Sequence, residues 1–264
     1  MKHIWGKFLR FTTVALLAAG PAFAADAPLA PFNLKAQYGF YWNGLPFGEM
    51  EFSSEQNAHG YKMTAVIRST GLAALFAPHE SRTTVEATGT VPETAKRIYE
   101  TNYKTRDEPR RVKLTYASGG AATEVIVEPP EDPKYRPPPT HAQLAGTLDP
   151  LSFVLAVRRH VHDAQAKDET HFTLRLFEGR RLMETPFEVQ GGQWLRLHGE
   201  KTWVIHCVTR RVPVAGYTAK ELKSLAAGDP SLHILFSADD QLVPVKLYVD
   251  TSYGRIYAVR EMAY

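Results

Sequence analysis

A succession of short alternating segments, each ended by turn-forming residues, constrains the fold of this chain most. In residues 61–69, the side chains of Tyr61, Met63 and Ala65 would lie on one face of a strand and those between them on the other, since successive strand side chains point to opposite faces. Turn signals separate such segments along the chain, at Asn43-Gly44, Ser118-Gly119-Gly120, Gly191-Gly192 and Ser252 to Gly254. Because Gly and Asn accept the positive φ angles of tight hairpins, the pattern predicts many antiparallel hairpins.

These signals predict roughly twelve to fourteen strands and two helices, without the alternation of strand and helix that parallel sheets need. We expect a mainly β fold: antiparallel curved sheets forming a barrel, half-barrel or spiral, with one or two short helices. The clearest helix begins after Asp149, a suitable N-cap, with Pro150 at its first position, and is predicted to end near Val161. Residues 71–77 are predicted to form a connector of one or two helical turns, and residues 217–227 are predicted to form a short surface helix.

One segment, residues 128–140, cannot be a central strand. It contains six prolines in thirteen residues, and proline lacks the amide donor that a strand ladder requires. Two interpretations remain open: a solvated connection, or a lid or arm that binds a partner. The chain after residue 24 is interpreted as a single β-rich domain, residues 25–264; the alternative is two β subdomains joined by this Pro-rich segment.

The N-terminus has the features of a cleavable secretory signal. Lys2, Lys7 and Arg10 precede an apolar run over residues 11–19, and Ala22-Phe23-Ala24 has the small-x-small pattern of a cleavage site. The run is too short to cross roughly 30 Å of hydrocarbon as a retained anchor. We expect residues 1–24 to be a signal peptide, cleaved after Ala24, and the protein to be periplasmic.

Charge and cysteine content exclude several classes of protein. The chain has 31 basic and 28 acidic residues, and loss of the three basic residues of the signal leaves the two signs equal. Nothing then favours nucleic-acid binding, which requires a concentrated basic face, and no later segment is apolar enough to span a membrane. The single cysteine, Cys207, excludes an intramolecular disulfide and is expected to be buried in a strand.

The sequence contains no clear catalytic or metal-binding motif. His160 and His162 lack the spacing of ligands on a helix, so they are expected to cap carbonyls or to face solvent. His206 and Cys207 are neighbours on a predicted strand and should point to opposite faces. No catalytic residue, metal ligand or cofactor is predicted, and enzymatic activity is the less favoured interpretation.

Aromatic and basic side chains at strand positions suggest a ligand site instead. A curved sheet lined by such residues can hold an apolar ligand, and arginines that converge on one concavity would suit an anionic headgroup. Ordinary core packing and solvated strand faces are the alternatives. The candidate ligand-binding residues are Tyr38, Phe40, Trp42, Arg68, Arg82 and Trp203, and further strand arginines are Arg97, Arg111 and Arg255.

Three segments together resemble a known family. They are YGFYWNGLPFG at residues 38–48, TLDPLS at residues 147–152, and LFSADDQLVPVK at residues 235–246. The chain resembles the exported bacterial domain-of-unknown-function family numbered thirty-one zero eight. The resemblance implies a periplasmic, antiparallel β-rich protein with no established activity.

Three hypotheses for function follow. The first is a non-enzymatic periplasmic envelope protein that binds a lipid, an acyl chain or a protein segment in a curved β-sheet. The second is a periplasmic hydrolase whose site is assembled from distant strands. The third is a structural envelope scaffold that acts through surface contacts. No nucleic-acid partner and no transmembrane span are expected, and the oligomeric state is left open.

Overall fold

A computed structural model describes residues 29–105 and 108–263, which form fourteen strands, three α-helices and one 3₁₀ helix. The strands of the first half are β1 Leu34–Trp42, β2 Leu45–Asn57, β3 Gly60–Ser69, β4 Glu80–Thr88, β5 Lys96–Thr105, β6 Glu108–Tyr116 and β7 Ala122–Glu128. Those of the second half are β8 His171–Phe177, β9 Leu182–Leu197, β10 Glu200–Thr209, β11 Val212–Ala215, β12 Leu232–Ser237, β13 Pro244–Thr251 and β14 Gly254–Ala263. The helices are α1 Gly71–Phe76, α2 Pro150–Ala166 and α3 Ala219–Ala226, with the 3₁₀ helix at His141–Leu144.

All fourteen described strands belong to one antiparallel sheet. Its order is β11-β9-β10-β12-β13-β14-β1-β2-β3-β4-β5-β6-β7, with β8 paired to β9. Pairing of β1 with β14 joins the first and the last described strand, with Tyr41 opposite Tyr257. The sheet curves but does not close, because within the described residues β7 pairs with no strand other than β6. The predicted mainly β, antiparallel and curved fold is confirmed.

The concave face of the sheet is filled by α2. Leu151 and Leu155 pack into the cluster formed by the inner faces of the first strands, whereas Ala156 and Val161 pack into the cluster of β8 to β12. Asp149 caps the helix as predicted, accepting from the backbone N–H groups of Leu151 and Ser152. The predicted end near Val161 is wrong by about a turn and a half, because α2 continues to Ala166 and keeps Ala164 buried.

Strand alternation is as predicted where one face is buried. Tyr61, Met63 and Ala65 are buried on the inner face of β3, and Arg68 lies on the outer face. The predicted hairpin at Gly191-Gly192 is wrong, because both glycines lie inside β9. There Gly191 has φ of 87° and the register with β10 shifts. A Cβ on Gly192 would lie 2.4 Å from the ring of Trp203, so this glycine leaves room for the indole.

The gap between the two edges of the sheet is bridged by side chains rather than by a strand ladder. Gly179, in the β8–β9 turn, lies against Val112 on the inner face of β6. From the other edge, the Pro-rich segment crosses the gap, and Arg136 donates to Gly216 O at 2.6 Å. The segment is a connection with exposed prolines, yet Arg136 itself is largely buried. In the described part of the chain, no helix is long and apolar enough to cross a membrane.

Candidate ligand groove at the sheet seam

A groove of about 280 Å³ lies at this gap, and we call it the seam groove. Its volume is slightly below the range of small-ligand pockets, which begins at roughly 300 Å³. Its walls are apolar, and two arginines and one glutamate interrupt them. The lining residues are Val125, Val127, Pro130, Glu131, Pro133, Arg136, Pro138, Pro139, Leu144, Phe177, Gly179 and Arg180.

The apolar walls arise from local sequence patterns. Val125 and Val127 of β7 pair with Leu114 and Val112 of β6, so they share the inner face of the sheet and face the gap. The prolines of the opposite wall have no amide hydrogen to satisfy, which suits a surface that hydrogen-bonds with no strand. Leu144 is fixed by the 3₁₀ helix, which begins with a capping box at Thr140.

Arg180 is the most deeply buried charged residue of the seam groove, with 8% of its surface exposed. Its Nε donates to Glu131 at 2.5 Å and its Nη1 to the hydroxyl of Tyr103 at 2.7 Å. Its Nη2 is buried without a hydrogen-bond acceptor among the described residues. A buried donor without an acceptor is energetically unfavourable. A ligand that supplies an acceptor to Nη2 would remove this cost.

Arg136 is the second cation of the seam groove and is held on its outer side. Its two Nη atoms donate to the carboxylate of Glu221 in α3, both at 2.9 Å. Burial alone would raise the pKa of Glu221, but the hydrogen bonds from Arg136 and Thr218 outweigh it and lower that pKa to about 2. The Nε of Arg136 is buried and lacks an acceptor within hydrogen-bond distance among the described residues. Each arginine of the groove therefore has one nitrogen, Nη2 of Arg180 and Nε of Arg136, without a hydrogen-bond acceptor among the described residues.

Of the residues predicted to bind a ligand, the three on β1 lie in different environments. Tyr38 is part of the core, where its hydroxyl donates to Pro244 O at 2.8 Å and burial raises its pKa to about 12. Phe40 stacks on Phe47 with ring centroids 6.0 Å apart. Trp42 is half exposed at the end of the strand and donates to the carbonyl of Tyr253.

The two predicted arginines lie outside the concave face, whereas Trp203 lies on the same face of β10 as the buried Ile205 and Cys207. Arg68 and Arg82 are on the outer face of β3 and β4, and Arg68 pairs there with Glu51 at 2.8 Å. Trp203 packs edge-on against Trp194, with centroids 4.9 Å apart. The structure does not bring the six residues into one cavity, and none of them lines the seam groove.

Among the other strand arginines, only Arg97 is buried in the interior. Its side chain forms a fully buried ion pair with Asp149, with Nε and Oδ2 2.8 Å apart. Arg111 and Arg255 lie on outer faces, paired with Glu100 and Asp250. The predicted alternative of solvated strand faces therefore describes most of these residues.

The histidines and the thiol do not assemble into a reactive site. Cys207 is buried as predicted, and burial raises its pKa to about 12. His206 lies on the opposite face, 3.0 Å from the ring nitrogen of His233. The predicted carbonyl-capping or solvent-facing role is wrong for His160, which contacts Glu93 at 3.1 Å and stacks on Phe172. No group of three potential metal-ligating side chains exists among the described residues.

Sequence reasoning missed the seam groove because its walls come from four separate parts of the chain. Alternation in β7 places Val125 and Val127 on one face, and the Pro-rich segment stands out by composition. Nothing in either pattern places Phe177 and Arg180 opposite them, since these belong to a hairpin some fifty residues later.

Comparison with known proteins identifies the family. The model of the family described as "Protein of unknown function (DUF3108)" matches residues 37–260. The chain belongs to this family. The number is the one that the three motifs indicated, but the description names neither export nor a periplasmic location. The resemblance therefore predicts the family correctly, whereas export and a periplasmic location stay predictions for this chain.

A solved structure is similar in fold. It is a beta-barrel-like protein of domain of unknown function DUF1849 from Brucella abortus, with a TM-score of 0.53 and 11% identity. The alignment covers 90% of this chain and 98% of that one. At this identity the likeness shows the fold alone. No curated protein matches the chain significantly.

Proposed function

We propose that this protein is a non-enzymatic, periplasmic ligand-binding protein, and that the seam groove holds the acyl chain of an anionic amphiphile. The observation that carries the proposal is the combination of an apolar groove with Arg180, whose Nη2 lacks an acceptor. A carboxylate or phosphate is the preferred partner of a guanidinium, because it accepts charge-assisted hydrogen bonds. The groove would bury the chain and the arginine would retain the headgroup.

The chemistry of the lining residues favours binding over catalysis. Glu131 is the only acid among the residues that line the groove, and Arg180 already holds it. The lining includes no serine, cysteine, histidine or lysine to serve as nucleophile or base. The hydrolase hypothesis therefore has no residues to assign at this site.

The proposal is tested by a variant that fills the groove. Val125→Trp places a large side chain on the groove wall, and decanoate should bind it at least about tenfold more weakly than the wild type, a loss of roughly 1.4 kcal/mol. Ile98→Trp is the matched control, because Ile98 is similarly exposed but lies on the outer face of β5. Native mass spectrometry and isothermal titration calorimetry measure the binding.

The headgroup assignment is tested separately with decanol, which has the same chain without the charge. Arg180→Met should weaken decanoate binding but leave decanol binding nearly unchanged. The proposal fails if the wild type binds neither ligand, or if Val125→Trp binds decanoate as well as the wild type does.

A further inference from the structure

The helix α1 buries none of its residues. It contains three large apolar side chains, and Leu72, Leu75 and Phe76 are 73%, 76% and 85% exposed. Single exposed apolar residues are ordinary on a protein surface, but a contiguous group marks an interaction site. A helix of six residues is too short to be stable by itself, so α1 is held by its neighbours while its apolar side chains remain in solvent.

Apolar residues of two adjacent turns extend this surface. The first residue of α1 lies beside Pro46, which follows Leu45, a residue that is 67% exposed at the β1–β2 turn. The β1–β2 turn also contacts the β13–β14 turn. There Tyr253 is 81% exposed, and its carbonyl accepts a hydrogen bond from the indole N–H of Trp42 at the end of β1. We call this surface the apolar end, made of Leu45, Leu72, Leu75, Phe76 and Tyr253, with Trp42 behind it.

The apolar end carries almost no unpaired charge. Residues 70–78, which include α1, contain no ionisable side chain. Five charged residues at its border form ion pairs, Arg68 with Glu80 and Glu51 on one side and Arg255 with Asp250 on the other. This surface is therefore not expected to attract a strongly charged partner. Its composition of Leu, Phe, Tyr and Trp is that of residues that partition into the membrane–water interface.

We infer that the apolar end docks onto a lipid bilayer and inserts Leu72, Leu75 and Phe76 into its interfacial region. The shape favours a bilayer over a protein, because three separate projections form the surface. A fluid bilayer adapts to side chains that project from α1 and two adjacent turns, whereas a folded partner would need a matching pocket for each of these elements. The neutral border predicts binding to zwitterionic lipid with little dependence on salt.

The apolar end and the seam groove lie at the same end of the sheet. The ring of His79, three residues beyond α1, is 6.4 Å from that of Tyr103, and the hydroxyl of Tyr103 accepts from Arg180 in the groove. Docking would therefore bring the headgroup end of the groove towards the membrane. Docking itself requires no ligand in the groove, so the two ideas can fail independently.

Flotation with vesicles that contain only phosphatidylcholine tests the inference. The purified protein should float with the vesicles, and raising the salt concentration should change the bound fraction little. Leu75→Glu and Phe76→Glu should each weaken binding at least about tenfold, since transfer of one large apolar side chain is worth about a power of ten in an equilibrium constant. Ile98→Glu, an exposed apolar residue on the outer face of β5, is the matched control and should float like the wild type.

Three outcomes would overturn the inference. They are failure of the wild type to float, equal flotation of Phe76→Glu and the wild type, and a concentration-dependent dimer that Phe76→Glu abolishes. The last would show that a second copy of the chain covers the apolar end. Because these side chains are exposed, the variants should keep the wild-type melting temperature, which distinguishes lost docking from lost folding. Decanoate binding by the docking variants reports separately on the groove.

Discussion

At the scale of single residues, the ion pair of Arg97 and Asp149 is the most consequential contact of the interior. The guanidinium also donates to the carbonyls of Pro92 and Thr147, at 2.8 and 2.7 Å, and lies over the ring of Tyr116. The carboxylate caps α2 at the same time. Each guanidinium nitrogen of Arg97 and each carboxylate oxygen of Asp149 thus takes part in a hydrogen bond. The pair fixes the start of α2 against β5. The sequence predicts the cap, but it does not predict Arg97, which is 52 positions away.

Removing this carboxylate should be costly. Asp149→Ala leaves a buried guanidinium without its counter-ion and removes the helix cap, so we expect the free energy of unfolding to fall by about 3–5 kcal/mol. Urea denaturation measures the change. Asp250→Ala is the control, because Asp250 forms an exposed pair with Arg255 and its loss should leave the melting temperature almost unchanged. Similar losses in both variants would contradict the special role of the buried pair.

At the scale of elements, the Pro-rich segment is a bridge rather than a free arm. Arg136 joins it to α3 through Glu221, and Glu131 joins it to the β8–β9 turn through Arg180. The composition of the segment predicts correctly that it is no strand, since proline cannot donate to a ladder. Composition could not show which of the two interpretations holds, because the charged partners of the segment lie on distant elements. Deleting residues 129–139 should therefore disturb the fold as well as any partner site.

The contact between Arg136 and Glu221 should respond to acid. The pKa of Glu221 is lowered from 4.5 to about 2 in the folded protein, so this contact stabilises fully above pH 4.5 and its contribution is lost as the pH falls towards 2. Melting temperatures of the wild type and Glu221→Gln should therefore converge over that range, because the variant lacks the titrating carboxylate. A difference that stays constant from pH 6 to the acid limit of folding would show that Glu221 does not act through its charge.

At the scale of the whole molecule, the periplasmic location of the protein is a prediction that rests on the sequence alone. The proposed signal, residues 1–24, lies outside the described residues, and so does its cleavage site. We expect the protein recovered from the periplasmic fraction to begin at Ala25, which intact-mass spectrometry checks directly. Replacing Ala24 with a large residue such as Trp should block processing, because the peptidase requires small residues there. Recovery of the unprocessed chain from the cytosol would contradict export.

The sequence by itself determined the fold class, the buried face of β3 and the start of α2. These depend on local physics: alternation of side chains, turn geometry and helix capping act within a few residues. The turn rule gave a wrong prediction at Gly191-Gly192, because a tight turn and a β-bulge both favour glycine. Only the distant ring of Trp203 explains the second glycine.

Only the tertiary structure decided where the sites lie. The six predicted ligand residues do not share a cavity. Arg68 and Arg82 lie on the outer face of the sheet, and the four aromatic residues pack against different neighbours. The seam groove exists because the sheet stops short of closure, so that the Pro-rich segment and the β8–β9 hairpin meet across the gap. The apolar end likewise depends on three turns that meet at one end of the sheet. Such meetings are set by the curvature and order of the whole sheet, which no local pattern encodes.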